Sequence, residues 1–313
     1  MNIYRIAAYI TAYNDWDSIQ RCIESIKRQT LEVEHLLIVD NSSTTVIPIQ
    51  YQQLSWVTFL HFPNNIGVSG GLTTALNWFN ERNYDFLWTF DQDSEAESHC
   101  LKNLILEYDN LSLSSRNKVG VIAPLPIDKN TNYEICGRDF VNYRLVPSKN
   151  NLMDIYSCDV VITSGSLIPL HVSQQVEPPS YDLFIDAVDW DYCIKVKEKG
   201  FDNYVVRKAI LFHQFSDLEI KHIPILNKKI LINHYSPLRH YFIARNHTYF
   251  YLKNTTKLIF LVLAFMNRIL YVFKTAVKII LFEDKLIIKK LQAIIYGTFH
   301  GLKFELFHDF PLL

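Results

Sequence analysis

Short apolar runs that each end in polar residues, with room between them for a crossover, constrain the fold of this chain more than any other feature. Residues 4–14, 35–39, 56–60, 86–90 and 119–123 form such runs. Runs of this length bounded by polar residues read as buried strands. Between the first two, Ile19, Cys22, Ile23 and Ile26 fall at helical spacing, and residues 72–79 read as a second helix. Strand and helix alternating in this way predict an α/β fold with a mostly parallel sheet flanked by helices. In open sheets of that kind ligands bind beyond the carboxyl ends of the strands. Tyr13, Asp40 and Asp91 all fall at such ends, so three polar groups are expected on one edge.

The fourth run spills directly into Asp91-Gln92-Asp93. Two carboxylates held that close repel each other unless a cation joins them. Hard ions such as Mg²⁺ or Mn²⁺ prefer oxygen ligands and commonly bridge carboxylates to phosphates. The motif therefore reads as a metal site for a diphosphate, against the plainer reading of an Asp-rich turn. His213 closes another apolar stretch, Ala209-Ile210-Leu211-Phe212, and is either a hydrogen-bonded structural residue or a further ligand. A second acidic cluster, Asp186, Asp189 and Asp191, precedes a helical pattern. It either complements the helix dipole or supplies a general base. Lys195 lies one turn beyond Asp191, at the spacing of an i, i+4 ion pair.

The ordered segments Ala12-Tyr13-Asn14, Val39-Asp40-Asn41-Ser42-Ser43, Asn65-Ile66-Gly67 and Asp91-Gln92-Asp93-Ser94 resemble the family 2 glycosyltransferases of the GT-A fold. Asp-Gln-Asp-Ser is similar, more narrowly, to the bacterial rhamnosyltransferases of that family. Thr163-Ser164-Gly165-Ser166, the 184–191 segment, Ser236-Pro237-Leu238-Arg239-His240-Tyr241 and Ala244-Arg245-Asn246 extend the likeness to about residue 250. The resemblance implies that Asp40 contacts the pyrimidine of the donor, with Thr11, Ala12 and Tyr13 as the other wall. It implies Asn65 and Gly67 near the donor, Gln92 within the donor motif, and Asp93 on a metal bound to the diphosphate. Asp91 then meets the ribose or a metal-bound water, and His213 adds a ligand. Asp189 aligns with the base that deprotonates the acceptor, Asp191 holds the acceptor or orients that base, and Ser164-Gly165-Ser166 forms an acceptor-side loop in place of a plain turn. Arg245 is a candidate for the diphosphate or for anionic lipid, beside the plain reading of a surface salt bridge. Thr73 and Ala75 stand where the family has Asn and Gly, and Asp191 and Lys195 where it often has Glu and Arg. The implied reaction is inverting transfer of L-rhamnose from dTDP-L-rhamnose to a glycan or lipid-linked acceptor in bacterial surface polysaccharide synthesis. Two rivals remain at this point: transfer of galactofuranose or glucose from a UDP donor, and a catalytically silent sugar-nucleotide-binding protein.

Composition agrees. A chain of 313 residues with 49% hydrophobic residues has ample material for a large core. A net charge of −1 offers no basic footprint for nucleic acid. The cysteines at 22, 100, 136, 158 and 193 are odd in number and scattered, which argues against a disulfide framework and for a reducing cytoplasm. No secretory signal is legible at the N-terminus. The expected division is a catalytic domain over 1–215 and a helical region over 216–313. Residues 217–233 show no clear period, and Pro224 discourages one continuous helix there. Residues 258–267 carry no charge, but Arg268, Lys274 and Lys278 follow. Ten residues are too few to span a bilayer, which takes about 20. A basic helix with a broad apolar face instead suits the cytoplasmic membrane surface. Packing on the catalytic domain or on a second subunit of a homo-oligomer is the alternative.

Overall fold

The structure is a computed structural model that describes residues 4–214, 218–223, 228–283 and 285–306, with the backbone alone for 218–223 and 228–233. The elements run β1 Ile6–Ala12, α1 Trp16–Lys27, β2 His35–Asp40, α2 Ile49–Gln52, β3 Val57–His61, α3 Gly67–Asn80, β4 Phe86–Asp91 and β5 Ser94–Ala96. There follow α4 Cys100–Asn110, α5 Leu113–Arg116, β6 Val119–Asp128, β7 Arg138–Val141, β8 Arg144–Pro147, β9 Ile155–Cys158, β10 Leu167–Pro169, α6 Leu170–Ser173, α7 Val188–Glu198 and β11 Asp202–His213. The remainder is β12 Leu218–Ile223, β13 Lys228–Asn233, α8 Pro237–Lys253, α9 Leu258–Phe282 and α10 Ile287–Leu302.

All five sequence-predicted strands are present, and they share one sheet in the order β3-β2-β1-β4-β10-β6-β11-β5, with β9 paired to β11. The β3-β2-β1-β4 half is parallel throughout, as is β6 against β11. Both faces of β1 and β4 are buried, so these strands carry continuous apolar runs rather than alternation. Helix α1 starts where Asp15 accepts the Ser18 N–H, and it buries Ile19, Cys22, Ile23 and Ile26 in the main core. The short β10 sits antiparallel between β4 and β6.

Chain contacts divide the molecule into two units. The first comprises residues 1–139, 146–181 and 188–213, and the second 140–145, 182–187 and 214–313. The boundary expected at 215/216 lies outside the described residues. Beyond it, the region expected to be helical opens with an antiparallel hairpin, β12 against β13. Among the described residues, three helices complete the second unit. Gly297 and Gly301 let α10 lie on the backbone of α8, since a Cβ at either would stand 2.4 Å from a carbonyl oxygen, that of Tyr241 or Arg245.

Helix α9 corrects the count made on the sequence. It is one helix of 25 residues, and by length and composition it is long and apolar enough to cross a membrane. Arg268 does not interrupt its apolar face, because that side chain turns inward. Its Nε donates to Thr248 Oγ1 at 3.0 Å and it is 3% exposed.

Candidate functional site

Parallel register puts the expected groups side by side. Across β1 and β4, Thr11 faces Asp91, and across β1 and β2, Ala12 faces Asp40. Asp40 is fully buried. Its Oδ1 accepts from the Ser42 N–H at 3.0 Å and the Ser42 hydroxyl at 2.6 Å, whereas its Oδ2 is buried with no hydrogen-bond partner. A buried acceptor left unpaired is costly, so such an oxygen calls for an explanation. Tyr13 is exposed at the same edge.

Asn41 ties the neighbouring loop down. Its Oδ1 accepts from the Ile66 N–H at 3.1 Å, and its Nδ2 donates at 3.4 Å to both Thr11 Oγ1 and the Gly67 carbonyl. Asn65 and Gly67 have positive φ, 48° and 69°, conformations that Gly takes freely and Asn tolerates. Their loop opens α3, and Asn65 Oδ1 accepts from the Gly67 N–H. Gln92 bonds the backbone of Tyr13 in both directions, so its carboxamide straps the end of β1 to the acidic motif.

The metal-type donors converge. Single ligand atoms of Asp91, Asp93 and His213 all lie within 4.8 Å of one another. The antiparallel pairing of β11 with β5 sets His213 opposite Ser94 and so delivers the imidazole to the acidic turn. His213 Nδ1 lies 3.3 Å from Asp93 Oδ1 and 2.6 Å from Ser94 Oγ. Ser94 Oγ is in turn 2.7 Å from Ser164 Oγ, which accepts from the Asp91 N–H at 3.0 Å. Two carboxylates and an imidazole fit a divalent ion, and the nitrogen donor suits Mn²⁺ better than Mg²⁺. Lys129, which the sequence did not single out, donates to the Asp93 carbonyl at 3.0 Å and to Glu95 at 2.8 Å. Burial works to raise the Glu95 carboxyl, but Lys129 and Arg21 outweigh it and hold Glu95 below the ordinary value.

Not every expected residue joins this cluster. Ser164 is buried and bonded to the acidic turn as described, and Gly165 takes φ +75° where a Cβ would meet Pro124 at 2.7 Å. Asp191 makes the anticipated i, i+4 pair with Lys195 at 2.8 Å and also accepts from the Ser180 N–H. Asp189 stands half-exposed in the first turn of α7, its Oδ1 accepting from the Trp190 N–H at 3.0 Å. Just before α7, Phe184, Asp186 and Ala187 have φ of 61°, 66° and 59°. Each such residue costs roughly 1–2 kcal/mol of backbone strain. Arg245 lies in the second unit, fully buried, with its guanidinium on the Asp182 and Leu183 carbonyls. That burial leaves it no part in a surface salt bridge.

Residues 8–115, which include the carboxyl edge of the parallel strands and the acidic turn, match the family Glycosyl transferase family 2. That match spans 108 of the chain's 313 residues. It is 23% identical over 252 residues to the dTDP-rhamnosyl transferase RfbF of Shigella flexneri, covering 78% of each chain. Two solved structures share the fold. One is GalNAc-T7 with UDP, GalNAc and Mn²⁺, with a TM-score of 0.56 and 14% identity, covering 68% of this chain and 44% of that one. The other is residues 1–349 of S. aureus TarS with UDP-GlcNAc, with a TM-score of 0.53 and 13% identity, covering 96% of this chain and 84% of that one.

Proposed function

We propose that this protein is a metal-dependent, inverting glycosyltransferase that moves L-rhamnose from dTDP-L-rhamnose to a glycan or lipid-linked acceptor. The observation that carries the reading is the Asp91, Asp93 and His213 cluster beside a buried Asp40 with an unpaired oxygen. In this reading Asp40 Oδ2 accepts from the N–H edge of the pyrimidine, and Tyr13 covers the base. Asp93, Asp91 and His213 hold Mn²⁺, which would offset the charge of the departing diphosphate. Asp189 takes the proton of the attacking acceptor hydroxyl. The choice of sugar rests on the Asp-Gln-Asp-Ser motif and on the likeness to the Shigella flexneri enzyme.

The second unit suits a membrane surface. On α9 the residues Leu258, Ile259, Phe265, Met266, Ile269 and Phe273 are exposed, while Ala264, Arg268 and Ile279 are buried. Exposed Lys274 and Lys278 flank the apolar face. A helix buried along one side from 264 to 279 stays against its own unit, which favours lying in the interface over spanning.

Thermal shift across nucleotide sugars with Mn²⁺ or Mg²⁺, followed by turnover, tests the function. Stabilisation and turnover by dTDP-L-rhamnose but not UDP-glucose is the expected result. Preference for a UDP-hexose would overturn the rhamnosyl reading and leave the reaction class. Binding without turnover of any donor, supplied with glycan acceptors, would favour the silent reading.

A further inference from the structure

The segment Asp182–Ala187 is gripped by one helix of its own unit. Asn246 Nδ2 donates to the carbonyls of Leu183 at 2.8 Å, Ile185 at 2.7 Å and Asp186 at 2.9 Å. Arg245 donates to the carbonyls of Asp182 at 2.5 Å and Leu183 at 3.4 Å. Arg245 Nε also donates to Asn246 Oδ1 at 2.8 Å, which fixes the amide so that its nitrogen faces the carbonyls. Both residues are fully buried. Arg239 adds a two-pronged ion pair to Asp186, at 2.6 and 3.1 Å.

These donors converge on a segment that holds three left-handed residues, Phe184, Asp186 and Ala187. Non-glycine residues keep that conformation only where surrounding contacts over-determine it, and such strain gathers at functional sites. The chain then passes into the first unit at Val188, and the next residue is Asp189. We propose that Arg239, Arg245 and Asn246 are positioning residues, a clamp on the backbone of residues 182–187 that sets where Asp189 enters α7. The inference rests on the reading of Asp189 as the base. It assigns Arg245 the carbonyl oxygens of its own chain as its ligand, in place of a diphosphate.

The test uses the full chain with dTDP-L-rhamnose, Mn²⁺ and water as the acceptor, reading dTDP released by hydrolysis, donor KM, and dTDP affinity by calorimetry. Asn246→Ala should lower kcat on the order of 10²-fold, the cost of a small misplacement of a reacting group, with donor KM and dTDP affinity near wild type. Adding Ala187→Gly should recover part of that kcat, because glycine accepts positive φ without the clamp. Arg239→Ala should lose kcat and Arg239→Lys should keep more of it, which decides the matter if Asn246→Ala fails to fold. Asn246→Ala or Arg239→Ala at wild-type kcat, beside an inactive Asp189→Asn, overturns the clamp alone. An Asp189→Asn enzyme as fast as wild type overturns the base assignment and the positioning role with it. A fall in dTDP affinity matching the fall in kcat would also refute positioning.

Discussion

Replacing Asp40 with asparagine separates the buried carboxylate's local role from its nucleotide role. The side chains share one shape, so the bonds from the Ser42 N–H and hydroxyl to Oδ1 survive when the amide oxygen takes that place. The amide nitrogen must then stand where Oδ2 stands now, buried and without a partner. Turning the amide over would aim its N–H groups at the Ser42 N–H, so either orientation loses one acceptor. Without nucleotide little should change, since an unpaired charged oxygen gives way to an unpaired neutral group, and burial penalises the neutral group less. The melting temperature should hold or rise. With nucleotide, a hydrogen bond to a charged acceptor disappears, worth about 1.5–3 kcal/mol, and a donor now faces a donor. At about 1.4 kcal/mol per decade this predicts dTDP or UDP affinity weaker by about 10- to 150-fold. Calorimetric titration of each nucleotide with Mn²⁺, beside thermal unfolding of the free protein, reads both terms. Wild-type affinity for both nucleotides would refute the argument. So would a collapse in stability, which would make Asp40 a structural residue only.

Three further outcomes are expected. Asp93→Ala should abolish Mn²⁺-dependent dTDP binding and leave far-UV circular dichroism unchanged; retained metal dependence would remove the ligand assignment. The full chain should sediment with anionic liposomes, more weakly in high salt, and Ile269→Glu with Phe273→Glu should leave it in the supernatant without a lower melting temperature. A wild-type chain that never sediments would favour a second copy as the cover of α9. Stability should decline as pH falls from 6.5 towards 4, because burial holds His240 down at about 4, though nearby Glu283 works to raise it. The unfolded chain takes up that proton near 6.5 and the folded one does not, so the penalty grows through this window to about 3 kcal/mol at most. Chemical unfolding of the wild type and His240→Gln at both pH values checks it, and an unchanged difference between them would exclude His240 as the cause.

Local pattern carried much of this fold. The buried strands announced themselves because a sheet covered on both faces needs unbroken apolar runs, and α1 because Ile19, Cys22, Ile23 and Ile26 repeat at its period. Asp191 and Lys195 met as their spacing implied. Contacts set by distant pairing were not legible. Ser94 and Ser164 touch across 70 residues through the insertion of β10, whose three residues are too few to show a period. Lys129 reaches Asp93 only because β6 continues to Asp128, beyond the apolar run that revealed it. Arg245 and Arg268 misled for one reason: a charge in the sequence does not say which way its helix turns, and both guanidiniums point inward.

The placement of His213 bears on how the protein is made. It meets Ser94 across 119 residues, through a strand pair that cannot form until β11 has left the ribosome. Closing so long a loop is slow, but it costs only a logarithmic increment in entropy over a short one. A divalent ion spanning Asp93 and His213 would act as a clasp on that loop, resisting unfolding as well as holding a donor. A nascent chain stopped before His213 would hold the acidic turn without its imidazole and without the clasp. Full metal affinity would then mark synthesis of the first unit to its last residue.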